Sequence, residues 1–386
     1  MAIDKKVLNV PHLRFPEFCG EWKETTLGKI SEITKGSGIS KDQLSEQGSP
    51  CILYGELYTK YKSEIIDEAY SRTELDSSSL VKSKANDVII PCSGETAIDI
   101  STARCVSFNN ILLGGDLNII RLKHDDGGFF AYQLNGARKK DIARVAQGVS
   151  VVHLYGENLK HIRVYHPAIE EQKKITRLLS LIDERITTQN KIIEDLKKLK
   201  SAISQIIFRN TTLVKIQNLC EVIMGQSPSS SSYNSNNDGL PLIQGNLDIL
   251  DGITISRIYT NEPTKISLQK DLILTVRAPV GIVAENKMKV CIGRGVCALR
   301  NKSVIPTMYI YYALDYFSYK WKQIEQGSTF TSINGDDVKN FTIPLVGDVE
   351  YSCAFLSKVD ALIKCSIDLH SNYIKQKQYL LSQLFI

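Results

Sequence analysis

Two stretches of the chain carry apolar residues at the spacing of a coiled-coil helix. In the first, the candidate seam advances in alternating steps of four and three residues, as a coiled coil requires, through Ile175, Leu179, Ile182, Ile186, Gln189, Ile193 and Leu196. The seam then shifts to Leu199, Ile203 and Ile206, and this extra step of three predicts local overwinding. Pro167 stands at a favourable helix start, and no proline interrupts residues 168–209.

The second stretch repeats this pattern more loosely near the end of the sequence. Its seam positions are Leu356, Val359, Ile363, Ile367, His370, Ile374, Leu381 and Leu384. We expect His370 at the seam or on the surface rather than as a metal ligand, because no cluster of Cys, Asp or Glu shares its face. The sequence therefore predicts two long helices with matching seams.

Short runs of β-branched and apolar residues, bounded by turn residues, predict strands elsewhere in the chain. They are NDVIIP at 86–91, NNILL at 109–113, NIIRL at 118–122 and DLILTV at 271–276. The Ser- and Asn-rich segment SPSSSSYNSNNDG after Gln226 predicts an irregular loop.

These elements belong to an internal repeat. Four blocks align in the same order and pair Gly36 with Gly225, Gly114 with Gly293, Arg121 with Arg300, Gln147 with Gln326, and Asp183 with Asp360. The spacing falls from 189 residues in the first block to 177 in the last, which indicates that length differences lie in surface loops.

The repeat predicts an α+β chain with a pseudo-twofold symmetry, in which two mixed α/β domains are joined by two long antiparallel coiled-coil helices. The expected division is a first domain over residues 1–166, a first helix over 167–209, a second domain over 210–347 and a second helix over 348–386. Forty helical residues would give a rod of about 60 Å.

Composition narrows the class of protein only a little. A chain of 386 residues with 43% hydrophobic residues can form two or three domains. The start of the sequence lacks a secretory signal, and no apolar run is long enough for a membrane span, so we expect a cytoplasmic protein. The nine cysteines contain no CxxC pair, which argues against a zinc ribbon. The net charge of +5 permits a polyanionic partner without requiring one.

Catalytic motifs are missing from the sequence. It contains no Pro-Pro dipeptide of the kind an amino-methyltransferase uses to hold a flipped base, no phosphate-binding loop and no HExxH pair. We therefore expect no catalytic activity and no cofactor in this chain.

Three segments carry a family likeness. VPHLRFPEFCGEWKETTLGKI at 10–30, the QGVSVVHLYGENLKHIRV block and HPAIEEQKKITRLLSLIDERI at 166–186 resemble segments of type I restriction-modification specificity subunits. The resemblance implies two target-recognition domains that each read half of a split DNA sequence, with the helices setting the gap. It also implies two modification subunits that use S-adenosylmethionine and two restriction subunits that use ATP and Mg.

The resemblance further implies that the long helices dock these partners. The EQ-x-x-I pattern after Pro167 assigns this role to Glu171, Gln172 and Ile175. The second copy keeps only Glu350 of the Glu-Gln pair, so its docking face differs from the first.

DNA contacts are expected in the loops of the matched blocks, where Lys, Arg and small polar side chains can reach phosphates and base edges. The candidates in the first copy are Lys35, Ser37, Lys41, Tyr54, Arg104, Gln147, Ser150 and His153. Those in the second copy are Gln226, Ser227, Tyr233, Arg277, Arg294, Gln326, Thr329 and Thr331. Because most of these positions differ between the copies, the target is predicted to be asymmetric and bipartite.

Two other functions stay open at this point. One is a diverged self-contained DNA methyltransferase, against which the missing Pro-Pro segment argues. The other is a coiled-coil scaffold that only joins proteins, which salt-dependent DNA binding by the complex would exclude.

Overall fold

The computed structural model describes residues 9–209, 211–325 and 331–386 of the chain. The chain divides into two compact units, one formed by residues up to Asn190 together with Asp368–Ile386, the other by Lys191–Ile367. This division differs from the linear one expected above, because each long helix contributes residues to both units.

The first unit contains strands β1 to β13. They are β1 (Lys23–Thr26), β2 (Ser31–Lys35), β3 (Leu44–Ser45), β4 (Ser49–Ile52), β5 (Ile65–Ile66), β6 (Ser71–Thr73), β7 (Asp87–Pro91), β8 (Ser93–Gly94), β9 (Arg104–Val106), β10 (Leu112–Leu113), β11 (Leu117–Leu122), β12 (Val152–His153) and β13 (Arg163–His166). The short helices are α1 (Leu27–Ile30), α2 (Glu56–Thr59), α3 (Ala97–Ile100), α4 (Gly127–Asn135), α5 (Lys139–Val145) and α6 (Gly156–Lys160), with a 3-10 turn at Lys41–Gln43.

Two sheets form the body of the first unit. Their strand orders are β2-β11-β7-β9-β5 and β10-β4-β6-β3, and the pairs β1-β13 and β12-β8 flank them. Strands β5 and β9, and strands β4 and β10, pair in parallel. Strand β7 is buried along its whole length, which explains why its sequence is a continuous apolar run rather than an alternating one.

The second unit repeats this plan. Its strands are β14 (Thr212–Lys215), β15 (Cys220–Met224), β16 (Tyr233–Asn234), β17 (Leu240–Ile243), β18 (Ile249–Leu250), β19 (Ile253–Thr254), β20 (Ile258–Thr260), β21 (Ile266–Ser267), β22 (Leu272–Thr275), β23 (Val283–Glu285), β24 (Val290–Ile292), β25 (Val296–Asn301) and β26 (Thr342–Leu345). The sheets have the orders β15-β25-β22-β23-β19-β18, β16-β20-β17-β24-β21 and β14-β26.

Short helices complete the second unit. The α-helices, numbered after the long helix α7 (Ile169–Ile207), are α8 (Ile216–Leu219), α9 (Thr307–Tyr316) and α10 (Gly335–Asn340), and the 3-10 turns are Ser230–Ser232, Asn246–Asp248 and Ser318–Gln323. The strands predicted at 86–91, 118–122 and 271–276 are confirmed as β7, β11 and β22. The run at 109–113 contains only the two-residue strand β10.

Matching backbone hydrogen bonds show that the two units share one fold at the repeated glycines. The amide of Gly36 donates to Leu117 O, and that of Gly225 donates to Val296 O, each over 3.0 Å. A Cβ atom on Gly36 would stand 2.0 Å from the carbonyl oxygen of Gly114, and one on Gly225 would stand 2.1 Å from that of Gly293. Only glycine fits at either position, because two backbone segments meet there.

The long helices are α7, defined above, and α11 (Val349–Gln383). The predicted shift of the first seam is wrong, since Leu199 is 49% and Ile206 is 76% exposed. The alternating steps of four and three instead continue from Leu196 through Lys200, Ile203 and Ile207. A lysine at a seam position concealed this register from the apolar pattern.

The second seam contains a lysine in the same way. The predicted seam residues Ile367 and Ile374 are 38% and 36% exposed. Lys377 is largely buried. The buried residues Leu380 and Leu384 follow it by three and by seven residues, so Lys377 lies on the same face of the helix. Lys200 and Lys377 are separated by 177 residues, the spacing of the last repeat block, so they are equivalent residues of the two copies.

The positive charge of Lys377 is balanced by two carboxylates inside the first unit. Its Nζ atom lies 2.5 Å from Glu64 Oε2 and 2.6 Å from Asp183 Oδ1, while Tyr132 Oη donates to Asp183 Oδ2 over 2.8 Å. Burial raises the pKa of Glu64, and the positive charge of Lys377 opposes that shift. In the second unit, Lys200 Nζ lies 2.8 Å from Asp360, the repeat equivalent of Asp183.

Each unit also buries in its own core an aromatic residue that follows the end of a long helix. In the first, Phe385 lies 5.2 Å from the ring of Phe129, and Trp22 completes the cluster. In the second, Phe208 lies 5.9 Å from the ring of Tyr309. Phe208 and Phe385 are again 177 residues apart. Within the first unit the two helices run in opposite directions, since Arg185 faces Tyr373 and Asp183 faces Lys377.

We predict that Gly36→Ala lowers the free energy of unfolding of the first unit by about 1–3 kcal/mol or more, because the new methyl group would overlap the carbonyl of Gly114. Gly38→Ala is the matched control, since nothing lies within 4 Å of its Cβ position. Urea denaturation followed by hydrogen exchange of β11 measures the effect. Equal losses in the two variants would contradict the steric explanation.

We predict that Lys377→Met destabilises the first unit by about 3–5 kcal/mol near pH 8, because it leaves two buried carboxylates without their cation. The exposed Lys375 provides the control substitution Lys375→Met.

The loss should shrink as the pH is lowered from 8 towards the ordinary pKa of a glutamate, about 4.3. The pKa of Glu64 is raised in the folded state, so protonation of this residue favours folding, and its stabilising effect is lost as the pH rises through the raised value. Thermal denaturation of both variants across this pH range checks the sign. A defect that grows on acidification would overturn the assignment.

Candidate functional site

A cleft opens in each unit where the loop after the first repeated glycine meets the loop that contains the second repeated glycine. In the first unit Ser37 N donates to Leu113 O over 2.9 Å, and in the second Gln226 N donates to Ile292 O over 2.9 Å. The two clefts therefore lie at the same place in the repeated fold, and their different linings can be compared directly.

The first cleft has a volume of about 970 Å³. Its lining contains Gly38, Ile39, Ser40, Lys41, Gln43, Leu44, Leu53, Tyr54, Gly55, Glu56, Thr59, Lys60, Gly114, Gly115 and Asp116. Among these, Lys41 is exposed and Tyr54 is half-buried. The wall is partly apolar, and it carries two lysines and two carboxylates.

The second cleft is smaller and more polar in its residue types. It has a volume of about 300 Å³ and is lined by Ser227, Gln244, Gly245, Asn246, Arg277, Ala278, Arg294 and Gly295. Arg277 and Arg294 are exposed. Ser227 Oγ accepts a hydrogen bond from Arg294 N over 3.1 Å, and Gln244 Nε2 donates to Tyr233 Oη over 3.1 Å.

A buried carboxylate orders the same turn beside each cleft. Glu56 Oε2 accepts from Leu53 N over 2.9 Å, and Asp248 Oδ2 accepts from Gln244 N over 2.7 Å. Each acid also pairs with a cation, Lys60 for Glu56 and Arg257 for Asp248. These carboxylates fix the backbone from which the cleft side chains project.

The structure brings five of the residues proposed from the sequence into the two clefts. Lys41 and Tyr54 line the first, and Ser227, Arg277 and Arg294 line the second. Tyr233 contacts the second cleft through Gln244.

Other candidates lie outside the cleft linings. Lys35 and Gln226 are exposed at the repeated glycines, whereas Ser37 Oγ accepts from Val81 N over 2.8 Å. Thr331 is half-buried, and its carbonyl accepts from Ala278 N over 3.0 Å.

The Gln-Gly loop of the first unit forms a small hairpin. Gln147 and His153 exchange backbone hydrogen bonds of 2.9 and 2.7 Å, and Ser150 is exposed at its tip. Gly148 has a φ of 116°, which favours glycine at this turn. The corresponding candidates Gln326 and Thr329 lie outside the described residues.

The prediction that Arg104 contacts DNA is wrong. The residue is 7% exposed, and its guanidinium donates to Leu57 O and Tyr61 O over 3.1 and 2.9 Å inside the first unit. Burial lowers the pKa of Arg104, and the nearby Glu64 opposes that shift. All of strand β9 is buried, so this side chain cannot reach a phosphate.

The prediction that Glu171, Gln172 and Ile175 form a docking face is also wrong. All three are at most 2% exposed within their own unit. Glu171 binds Arg14 through two hydrogen bonds of 2.8 and 2.7 Å, and Gln172 Oε1 accepts from Asp126 N over 2.9 Å. The EQ-x-x-I pattern anchors the start of α7 to the domain that precedes it.

Sequence reasoning missed several cleft residues, namely Gln43, Glu56, Lys60, Asp116, Gln244 and Asn246. Most of them lie outside the four matched blocks, so the repeat gave no signal for them. The turn built by Asn246–Asp248, with an acid that binds the backbone amides before it, was a local signal for an ordered loop.

Over residues 9–209, 211–325 and 331–386, no helix combines the length and the apolar character needed to cross a bilayer. In the same part of the chain, no group of three or more His, Cys, Asp or Glu side chains is arranged to hold a metal ion.

Comparison with known proteins identifies the family. The family model of the type I restriction modification DNA specificity domain matches the sequence twice, over residues 20–198 and over residues 209–376. A protein of Methanocaldococcus jannaschii that bears the name of the type I restriction enzyme MjaX specificity subunit is 32% identical over 241 residues. That match covers 56% of this chain and 57% of the other, so the chain spans little more than half the length of this curated relative.

Solved structures show the same fold. The S subunit of a type I restriction-modification system from M. genitalium has a TM-score of 0.68 at 16% identity, over 98% of this chain and 99% of that one. A chain from a study of complex assembly and conformational transition in a type I system has a TM-score of 0.62 at 21% identity, over 97% and 99%. Since the family model matches both copies of the repeat and most of the sequence, the chain belongs to the type I restriction-modification DNA specificity domain family.

Proposed function

We propose that this chain provides the DNA sequence specificity of a type I restriction-modification complex, and that each unit reads one half of an asymmetric, bipartite target. The observation that carries the proposal is the pair of clefts, which lie at the same place in the repeated fold but have different linings. Equivalent positions with different donors and acceptors are what two readers of unlike half-sites require.

The chemistry of the clefts suits base edges. Lys41, Tyr54 and Asp116 offer a cation, a phenol and an acceptor in the first, while Arg277 and Arg294 offer guanidinium donors in the second. Exposed cations near the clefts, such as Lys35, would contact phosphates and make binding depend on salt.

The long helices would set the gap between the half-sites. Helix α7 contains 39 residues and α11 contains 35, which corresponds to about 50–60 Å of helix for each. The lysine-carboxylate contacts of Lys200 and Lys377 would hold the register of these helices within their units, and with it the position of each reader.

The chemistry of modification and cleavage would reside in partners. We propose that two modification subunits supply S-adenosylmethionine-dependent methylation, and that two restriction subunits supply the ATP- and Mg-dependent motor and nuclease. This chain would then work in the cytoplasm without a catalytic role or a cofactor of its own. Because Glu171, Gln172 and Ile175 are internal, the partners must dock on other, exposed residues.

We predict that selection from a randomised duplex library by the purified chain, alone or with the subunits that co-purify with it, enriches two short blocks separated by a constant gap. The double variant Lys41→Ala, Tyr54→Ala should relax one block and leave the other unchanged, because both side chains line the first cleft only. Arg144→Gln is the control, since this exposed arginine of α5 lines neither cleft.

Enrichment of no sequence would overturn the proposal and favour a scaffold. Relaxation of both blocks by the cleft variant would contradict the assignment of one half-site to each unit.

We also predict that equilibrium dialysis detects no stoichiometric binding of S-adenosylmethionine to the purified chain. Binding at one equivalent would instead favour a self-contained methyltransferase.

A further inference from the structure

Two guanidinium groups of the second cleft are available for a ligand. Arg257 and Arg300 of the same unit are bound to Asp248 and Asp271, at 2.8 and 3.1 Å. Within the described ranges, the side chains of Arg277 and Arg294 make no hydrogen bond and no ion pair, although both line one cleft of about 300 Å³.

The backbone that carries Arg294 is fixed on several sides. Arg294 N donates to Ser227 Oγ over 3.1 Å, and its neighbour Gly293 N donates to Ile243 O over 2.8 Å. A Cβ atom on Gly295 would stand 2.1 Å from Gln244 O, so the chain on that side is closely packed as well. A side chain on such a loop is presented in a defined place, as base recognition requires.

Arg277 lies on a second loop that is tied to the first. Val276 N donates to Gly295 O over 2.9 Å, and Ala278 N donates to Thr331 O over 3.0 Å. The two arginines thus reach the same cleft from neighbouring, mutually bonded backbone segments.

Matching hydrogen bonds identify the equivalent positions of the first unit. Cys92 N donates to Asp116 O over 2.7 Å, as Val276 N does to Gly295 O. The residues equivalent to Arg277 and Arg294 are therefore Ser93 and Gly115. The first unit has no guanidinium at either place, and its cleft lining contains no arginine.

We infer that Arg277 and Arg294 read guanine in the half-site bound by the second unit, and that the first unit does not read guanine through these positions. The inference rests on the proposed function. An arginine fork donates two parallel hydrogen bonds to O6 and N7 of guanine in the major groove, the commonest base-specific contact in protein–DNA complexes. A phosphate contact would need the charge alone, and lysine would satisfy it.

The test distinguishes a guanidinium that donates two hydrogen bonds to guanine from one that contacts phosphate through its charge alone. Selected target duplexes are compared with duplexes in which a deaza analogue lacking N7 replaces each guanine of the second half-site in turn. For the unaltered chain, we expect at least one such replacement to weaken binding about 5- to 150-fold. For Arg277→Lys or Arg294→Lys, discrimination at the corresponding position should decrease, because the rigid planar fork is lost. The salt dependence of binding should stay the same, because the charge is kept. Arg144→Lys is the matched control and should behave as the unaltered chain.

The outcomes distinguish this inference from the proposed function. If a bipartite sequence is selected but its second half lacks guanine, or if the lysine variants keep full sensitivity to the analogue, the inference fails and the proposed function stands. If the two arginine variants weaken binding equally to all sequences, they contact phosphates only and the inference also fails. If no sequence is selected, the proposed function fails first.

Discussion

A buried ammonium group at a core position of a helix is tolerated only where carboxylates surround it, and each long helix of this chain contains one such lysine. Lys377 is held between Glu64 and Asp183, and Lys200 faces Asp360. An apolar side chain could slide along a seam at small cost, but a buried cation must stay with its anions. The register of each helix against its unit depends on this constraint.

The architecture was largely accessible from the sequence because duplication makes signals appear twice. Gly36 and Gly225 occupy matching places in the two copies, and at each of them a second backbone segment passes too close for any side chain. The seam of α7 was followed correctly to Leu196 and then lost, because the next core position is Lys200 and a hydrophobic pattern cannot show a charge that is neutralised by a residue far away in the sequence. For the same reason, the seam of α11 was assigned to the wrong residues near Lys377.

The individual contacts were less accessible, and the errors have a common origin. Arg104 was chosen for its chemical type and Glu171 for its place in the EQ-x-x-I pattern, but both side chains are used inside the fold. Whether a charged side chain faces solvent depends on the partners that tertiary structure brings to it, here Tyr61 O and Arg14. By contrast, Arg277 and Arg294 lie on loops whose backbone amides bond to neighbouring loops, and within the described residues their side chains make no hydrogen bond.

The discontinuous composition of the first unit has a consequence for the order of events during synthesis. Lys191–Ile367 is continuous, so every residue of the second unit has been made once Ile367 is added. The first unit is begun earlier but is completed only by Asp368–Ile386, which brings Lys377 to its carboxylates and Phe385 to Phe129. Domains usually fold from the N-terminus onward as the ribosome releases them. In this chain the earlier segment of the first unit must wait for Asp368–Ile386, and until then Glu64, Asp183 and the apolar surface around Phe129 lack the segment that covers them.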